Sequence, residues 1–182
     1  MLSDETGGQM RDSRGAEFDE FVRTRSGALL RVAYLLTGDR HAAEDLLQEV
    51  LEQVYVRWRR VQTSPEAYAR RALVNRSINR WRGRRRRPEQ ALDDHDAVTG
   101  DHADDVALRR AVVAALRDLP ARQRAAVVLR YLEDLPTADV AAALGCSEGT
   151  VKSHASRGLA HLRTALAAPG LVMSTIDRES SR

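Results

Sequence analysis

This chain of 182 residues is 43% hydrophobic, 30% charged and only 4% aromatic, so its core is built mainly from Ala, Leu and Val, which favours helix and excludes a large aromatic-rich β-sandwich. No apolar run approaches the roughly 18 residues of a membrane span, and the N-terminal stretch lacks the apolar core of a signal peptide. Cys146 is the only cysteine, which excludes an internal disulfide, and the expectation is a cytoplasmic protein. The net charge of +3 hides blocks of opposite sign, +11 over residues 57–87 and −7 over residues 88–107. Such blocks imply separate surfaces for partners of opposite charge.

Residues 1–15 form a polar arm that is expected to be disordered. Between Phe18 and Leu36 the apolar residues recur at three- and four-residue steps, which predicts an amphipathic helix, broken near Gly27 and stopped at Thr37-Gly38-Asp39. Ala43, Leu46, Leu47, Val50, Leu51, Val54, Tyr55 and Trp58 form the unbroken stripe of a second helix. A third begins at Ser64-Pro65-Glu66, where Ser64 can cap, Pro65 suits the first helical position and Glu66 meets the positive end of the dipole. It runs into the arginine block.

From Pro88 to Asp105 the sequence contains six Asp and little apolar content, so it is expected to be a flexible linker. Beyond it, helices are predicted over about 106–119, 120–132, 137–144 and 147–166. The expected fold is all-α. Two small helical domains, 16–87 and 106–168, are joined by the acidic linker 88–105, with the arm 1–15 before them and a flexible tail 169–182 after.

The stretch from Asp139 to Leu162 has the anatomy of a helix-turn-helix. Ala141 is small where two helices pack closely, Gly145 supplies a left-handed turn, and Val151 anchors the second helix to the first. If Val151, Ala155, Leu159, Leu162 and Leu166 face inward, then Glu148, Gly149, Thr150, Lys152, Ser153, Ser156 and Arg157 face out near the end that enters a DNA major groove. Glu148 can accept from a cytosine amino group, and Lys152 and Arg157 can meet guanine or phosphate. This spacing also fits an ordinary hairpin of helices.

The arginines from Arg70 to Arg87 begin inside an amphipathic helix with Tyr68 and Trp81 interleaved, a pattern suited to phosphates and unpaired bases, although such aromatics also serve as core. On the second helix Asp45, Gln48, Glu49 and Glu52 align opposite the apolar stripe, either as a solvated face or as a surface for a basic partner. Catalysis finds little support. The five histidines are scattered, no phosphate-cradling glycine loop is present, and His95 and His102 with the linker aspartates are too loosely spaced for a preformed metal site. No cofactor and no metal are expected.

Together these motifs resemble the extracytoplasmic-function sigma factors, the two-domain form of the sigma-70 class, over roughly residues 16–168. AEDLLQEVLEQVYVRW at 43–58 is similar to region 2.2, SPEAYARRALVNRSINRWRGRRRR at 64–87 to regions 2.3 and 2.4, and LPARQRAAVVLRYLEDLPTADVAAALGCSEGTVKSHASRGLAHLR at 119–163 to region 4. The resemblance implies a sigma factor that directs core RNA polymerase to promoters and melts the minus-ten element. On this reading Asp45, Gln48, Glu49 and Glu52 bind the β′ coiled coil, and Val61, Gln62, Thr63, Ser64, Arg70, Arg71, Asn75, Arg76, Arg80 and Arg84 bind minus-ten DNA. Glu148, Gly149, Thr150, Lys152, Ser153, Ser156 and Arg157 bind the minus-thirty-five element, with region 4 seated on the β flap. The linker threads toward the polymerase cleft, where its carboxylates stand in for transcript phosphates. The resemblance also implies an anti-sigma partner and no membrane insertion. His154 and Ala155 stand where the family tends to have Arg and Leu, which puts one phosphate contact and the packing of the recognition helix in question. The alternative is a stand-alone helix-turn-helix repressor or activator.

Overall fold

The computed structural model describes residues 5–61, 64–86 and 103–167, with side chains within 15–61, 64–81 and 106–167. Its elements are α1 (Glu5–Thr37), α2 (Arg40–Val56), the single turn α3 (Trp58–Val61), α4 (Pro65–Arg86), α5 (Ala103–Asp118), α6 (Ala121–Val127), α7 (Thr137–Leu144) and α8 (Glu148–Leu166). The described residues contain helices and no strands.

In the first unit α1, α2 and α4 pack on one another. α1 differs from expectation in two ways. It runs unbroken through Gly27, which is exposed with open space where a Cβ would stand. Burial of Leu29, Val32 and Ala33 outweighs the ~1 kcal/mol that glycine costs in a helix. It also reaches back to Glu5, into the arm expected to be disordered, because lengthening a helix already nucleated by packing costs little. Its C-terminal stop is as predicted: Gly38 adopts φ +72, and the Asp39 carboxylate caps α2 by accepting from the Ala42 N–H at 2.6 Å. The α2 stripe is buried at Ala43, Leu46, Leu47, Val50 and Val54, with Leu51 half-buried, but Tyr55 is 45% exposed, its ring resting edge-on against Phe18 at the rim of the core. Trp58 closes this core edge-on against Phe18 at 5.4 Å between ring centroids, and its indole N–H donates to Glu17 at 3.2 Å.

The second unit comprises α5 to α8, and its sequence-predicted stripe is buried at Val151, Ala155 and Leu162. α6 was expected to continue as α-helix to Leu132; instead its last turn, Val128–Leu132, widens to a π-helix. The Glu133 N–H reaches back to the Val128 carbonyl at 3.0 Å, and Asp134 takes φ 49, a left-handed conformation that Asp tolerates. Gly158 lies where α8 crosses α6. A Cβ there would stand 2.6 Å from Val127 Cγ2 and 3.4 Å from the Gln123 carbonyl oxygen, so only glycine permits this approach.

The two units also pack on each other. α4 lies against α7 and α6, α1 lies against α5, and the buried residues of both units form one continuous cluster. Arg124, only 5% exposed, crosses between them: its guanidinium donates to the Leu36 carbonyl of α1 at 2.6 Å and, within its own unit, to the carbonyls of Arg117 and Leu119 at 2.9 and 3.2 Å. The expected linker is described only from Ala103, where its last residues already belong to α5; residues 87–102 and the tail from 168 lie outside the described residues.

Candidate nucleic-acid interface

The turn between α7 and α8 is built as the spacing predicts. Gly145 ends α7 at φ 62, the Cys146 N–H returns to the Ala141 carbonyl at 3.1 Å, and Ser147 caps α8 by accepting from the Thr150 N–H at 3.2 Å. Glu148, Gly149, Lys152, Ser153, Ser156 and Arg157 are exposed and Thr150 is half-buried, its hydroxyl 2.9 Å from Ser147 Oγ. One end of α8 therefore presents a row of polar side chains with no apolar residue among them, the geometry that a major groove accepts.

His154 sits at the edge of this row, half-buried, with its Nδ1 buried and unpaired among the described residues. Burial, followed by the nearby Arg122 and Arg157 charges, holds its pKa below the ordinary histidine value. A depressed folded-state pKa means that the unfolded chain takes up the proton first. This contribution to stability is therefore present above the unfolded value, about 6.5, and is lost as pH falls below it. Urea unfolding is expected to show stability falling from pH 7.5 to 5.5, with a shallower fall in His154→Asn.

The second surface joins α2 to α4. Asp45 and Glu52 are exposed, as is Gln48, which donates to Glu52 at 3.4 Å; Asp45 has no partner among the described residues. Glu49 is different. Its carboxylate accepts from Arg80 at 2.5 Å and from Arg76 at 2.7 Å, joining the acidic face to the arginine helix. Burial pushes the Glu49 pKa up, but the hydrogen bonds and charges of Arg80 and Arg76 together outweigh it and leave the carboxyl below its ordinary value. Arg76 also donates to Gln53 at 3.3 Å, and Arg80 to the Ala42 carbonyl at 3.3 Å.

Around the helical turn of α4, Arg71 and Asn75 point to solvent, while Arg70 is half-buried and paired with Glu66 at 2.5 Å. Tyr68 is half-buried, and its hydroxyl accepts from Gln53 and Arg57, both at 2.7 Å, so it ties α4 to α2. Trp81 packs partly buried against the core. At the start of the loop Val61 is half-buried and Ser64 exposed, the Ser64 carbonyl accepting from the Tyr68 N–H at 3.1 Å; Gln62, Thr63 and the Arg84 side chain lie outside the described residues.

One basic feature lies outside the residues expected from the sequence. Arg57, Arg59 and Arg60 line a shallow cleft of about 320 Å³ with Val56, which is 76% exposed. The signal was present in the sequence, since these arginines open the positive block immediately before the loop.

A helix-turn-helix with an exposed polar row, combined with a basic helix backed by an acidic one, is the arrangement of a DNA-binding protein that is helical throughout its described residues. Sigma-70 region 2 matches residues 21–87 and sigma-70 region 4 matches residues 109–162. The RNA polymerase sigma-E factor of Streptomyces coelicolor is 41% identical over 172 residues, covering 90% of this chain and 93% of that one. The ECF RNA polymerase sigma factor SigE of Mycolicibacterium smegmatis is 36% identical, covering 82% of this chain and 62% of that one. Among solved structures, the sigma factor RpoE of Bartonella quintana, determined in complex with the anti-sigma factor NepR, superposes with a TM-score of 0.67 at 27% identity, covering 84% of this chain and 98% of that one. The chain belongs to the sigma-70 family, in its extracytoplasmic-function branch.

Proposed function

We propose that this sigma factor brings core RNA polymerase to promoters through the exposed acidic face of α2, reads the minus-thirty-five element with α8, and melts the minus-ten element along α4 and the loop before it. The observation that carries the reading is the back-to-back arrangement of an acidic helix and an arginine helix in one unit, with a helix-turn-helix in the other. A repressor needs only the last of these.

On this reading Asp45, Gln48 and Glu52 meet the β′ coiled coil, with Glu49 shared between that surface and the arginines of α4. Arg71, Asn75, Arg76 and Arg80 follow the displaced strand, and Arg57, Arg59 and Arg60 extend the same basic surface. Melting is driven by binding energy gained as unpaired bases enter the protein, which offsets a few kcal/mol of unstacking. The chain performs no bond-making chemistry and acts in the cytoplasm; among the described residues no helix is long and apolar enough to cross a membrane. The complex of the Bartonella relative supports an anti-sigma protein as a further partner.

Run-off transcription with core polymerase on promoter fragments selected by the reconstituted holoenzyme tests the proposal. Promoter-specific RNA is expected, and DNA binding by the chain with no stimulation of initiation would replace it with the repressor reading. Within α8, Arg157 stands beyond the second turn, so it is assigned to phosphate, and Lys152 to a base or the adjacent phosphate. Arg157→Ala is then expected to weaken all promoter variants alike and to reduce the salt slope by about one. A changed base preference with an unchanged slope would reassign it to base reading.

A further inference from the structure

We propose that Arg122, His154 and Arg157 form a phosphate site on the flank of α8 and that His154 takes up a proton as DNA fills it, an inference that rests on the minus-thirty-five reading above. α6 crosses α8 at Gly158, where the Gln123 carbonyl oxygen would stand 3.4 Å from a Cβ. That crossing carries Arg122, the residue before Gln123, to the flank of α8 one turn back, which His154 occupies. Arg122 is half-buried and reaches across to the Leu144 carbonyl, at the end of α7, at 3.5 Å. Arg157 follows His154 by three residues and so shares its side of the helix. Groups from two helices therefore meet at one edge of the outward row, and among the described residues neither arginine has a carboxylate partner.

In the free chain the ring stays neutral near pH 7. Burial opposes its protonation first, followed by the charges of Arg122 on α6 and Arg157 on α8. Of the other helices packed on α8, α5 and α7 bring no charge to bear on the ring among the described residues. Its Nδ1 is buried without a partner, and a buried polar atom left short of a hydrogen bond marks a place that an incoming group completes. A DNA phosphate supplies what is missing. Its charge offsets the arginines and its oxygens accept hydrogen bonds, so the imidazolium becomes the favoured form once the phosphate is seated, the proton coming from solvent. The site flanks the row from Glu148 to Arg157, so a helix lying in a major groove holds it against the backbone that borders the groove. Linkage then gives opposite signs to two pH effects: DNA binds more tightly as pH falls, whereas the free chain loses stability over the same range.

The test uses holoenzyme reconstituted with the full chain and a duplex carrying the minus-thirty-five element alone, with affinity measured between pH 6 and 8. Comparison among variants cancels the pH dependence of the core enzyme. The native protein is expected to gain about three- to tenfold in affinity from pH 8 to pH 6 beyond any gain shown by His154→Asn, because one proton alters affinity by at most about tenfold per pH unit. His154→Arg carries its charge at every pH, so it is expected to abolish that excess and to steepen the salt dependence at pH 8 by about one; it keeps the test valid if His154→Asn loses helicity. Arg122→Gln is expected to reduce the salt slope by about one for all sequences alike. His161→Asn, at an exposed position of the same helix, is expected to keep the native pH dependence. Native pH dependence in both His154 variants would overturn the proposal, as would its loss in His161→Asn or an unchanged salt slope in Arg122→Gln. Failure of the native holoenzyme to prefer this duplex over a scrambled one would instead overturn the minus-thirty-five reading on which the site rests.

Discussion

Gly158→Val is expected to destabilise the second helical unit by about 3 kcal/mol, the upper end of what overpacking a well-filled core costs. The first added carbon alone would stand 2.6 Å from Val127 Cγ2 and 3.6 Å from Leu119 Cδ1, with the Gln123 carbonyl oxygen, which belongs to the backbone, at 3.4 Å. A flexible side chain could yield, but the β-branched Val127 and the α6 backbone cannot both do so without moving α8 off α6. Urea denaturation followed by circular dichroism reads the loss. Trimming Val127 to Ala alongside Gly158→Ala should recover part of the single-variant loss, because the two sites share one contact. Additive losses would show that Val127 is not the obstacle. With α8 reading the minus-thirty-five element as proposed, a shift of its axis should also weaken binding to that element well below the midpoint of unfolding.

Reversing charge at Asp45 and Glu52 together, each to Lys, is expected to lower the affinity for core polymerase by about 1.4–2.8 kcal/mol, roughly ten- to a hundredfold. Both side chains are exposed, so the folded chain should keep its stability and helicity. Glu49 is deliberately left intact. It holds Arg76 and Arg80 at hydrogen-bond distance, so reversing it would disturb the proposed polymerase surface and the arginine helix in one step and could not separate them. A fluorescence competition assay for core binding, run beside thermal unfolding, distinguishes a docking surface from a solvated face. Unchanged core affinity in the double variant would remove these two residues from the interface.

What the sequence determined by itself about this protein is what depends on neighbours along the chain. The apolar stripes of α2 and α8, the Asp39 and Ser147 caps, and the left-handed Gly38 and Gly145 are set by interactions within a turn or two, and each is found where its residues predict it except Tyr55, which the α2 stripe placed inward and the fold leaves 45% exposed. So is the outward row from Glu148 to Arg157, because a helix whose inward positions are known has its outward ones fixed by the 3.6-residue period. Local patterning was less informative where packing overrode propensity, as at Gly27 inside α1, and where a helix widened into a π turn that has no periodic signature.

Tertiary structure alone decided which groups meet across different helices. Glu49 and Arg76 lie far apart in sequence, and Arg124 and Leu36 further still, so no spacing rule links them; they come together because α4 folds back on α2 and the second unit closes on the first. The acidic face that looks uniform in the sequence is therefore divided, with Asp45 and Glu52 open to a partner and Glu49 held by arginines. Burial at the crossing of α6 and α8 likewise turns Gly158 from one more small residue into the position that sets how closely α8 is held. Periodicity is a property of one helix, whereas pairing and close approach belong to two, and only the packed chain specifies which two.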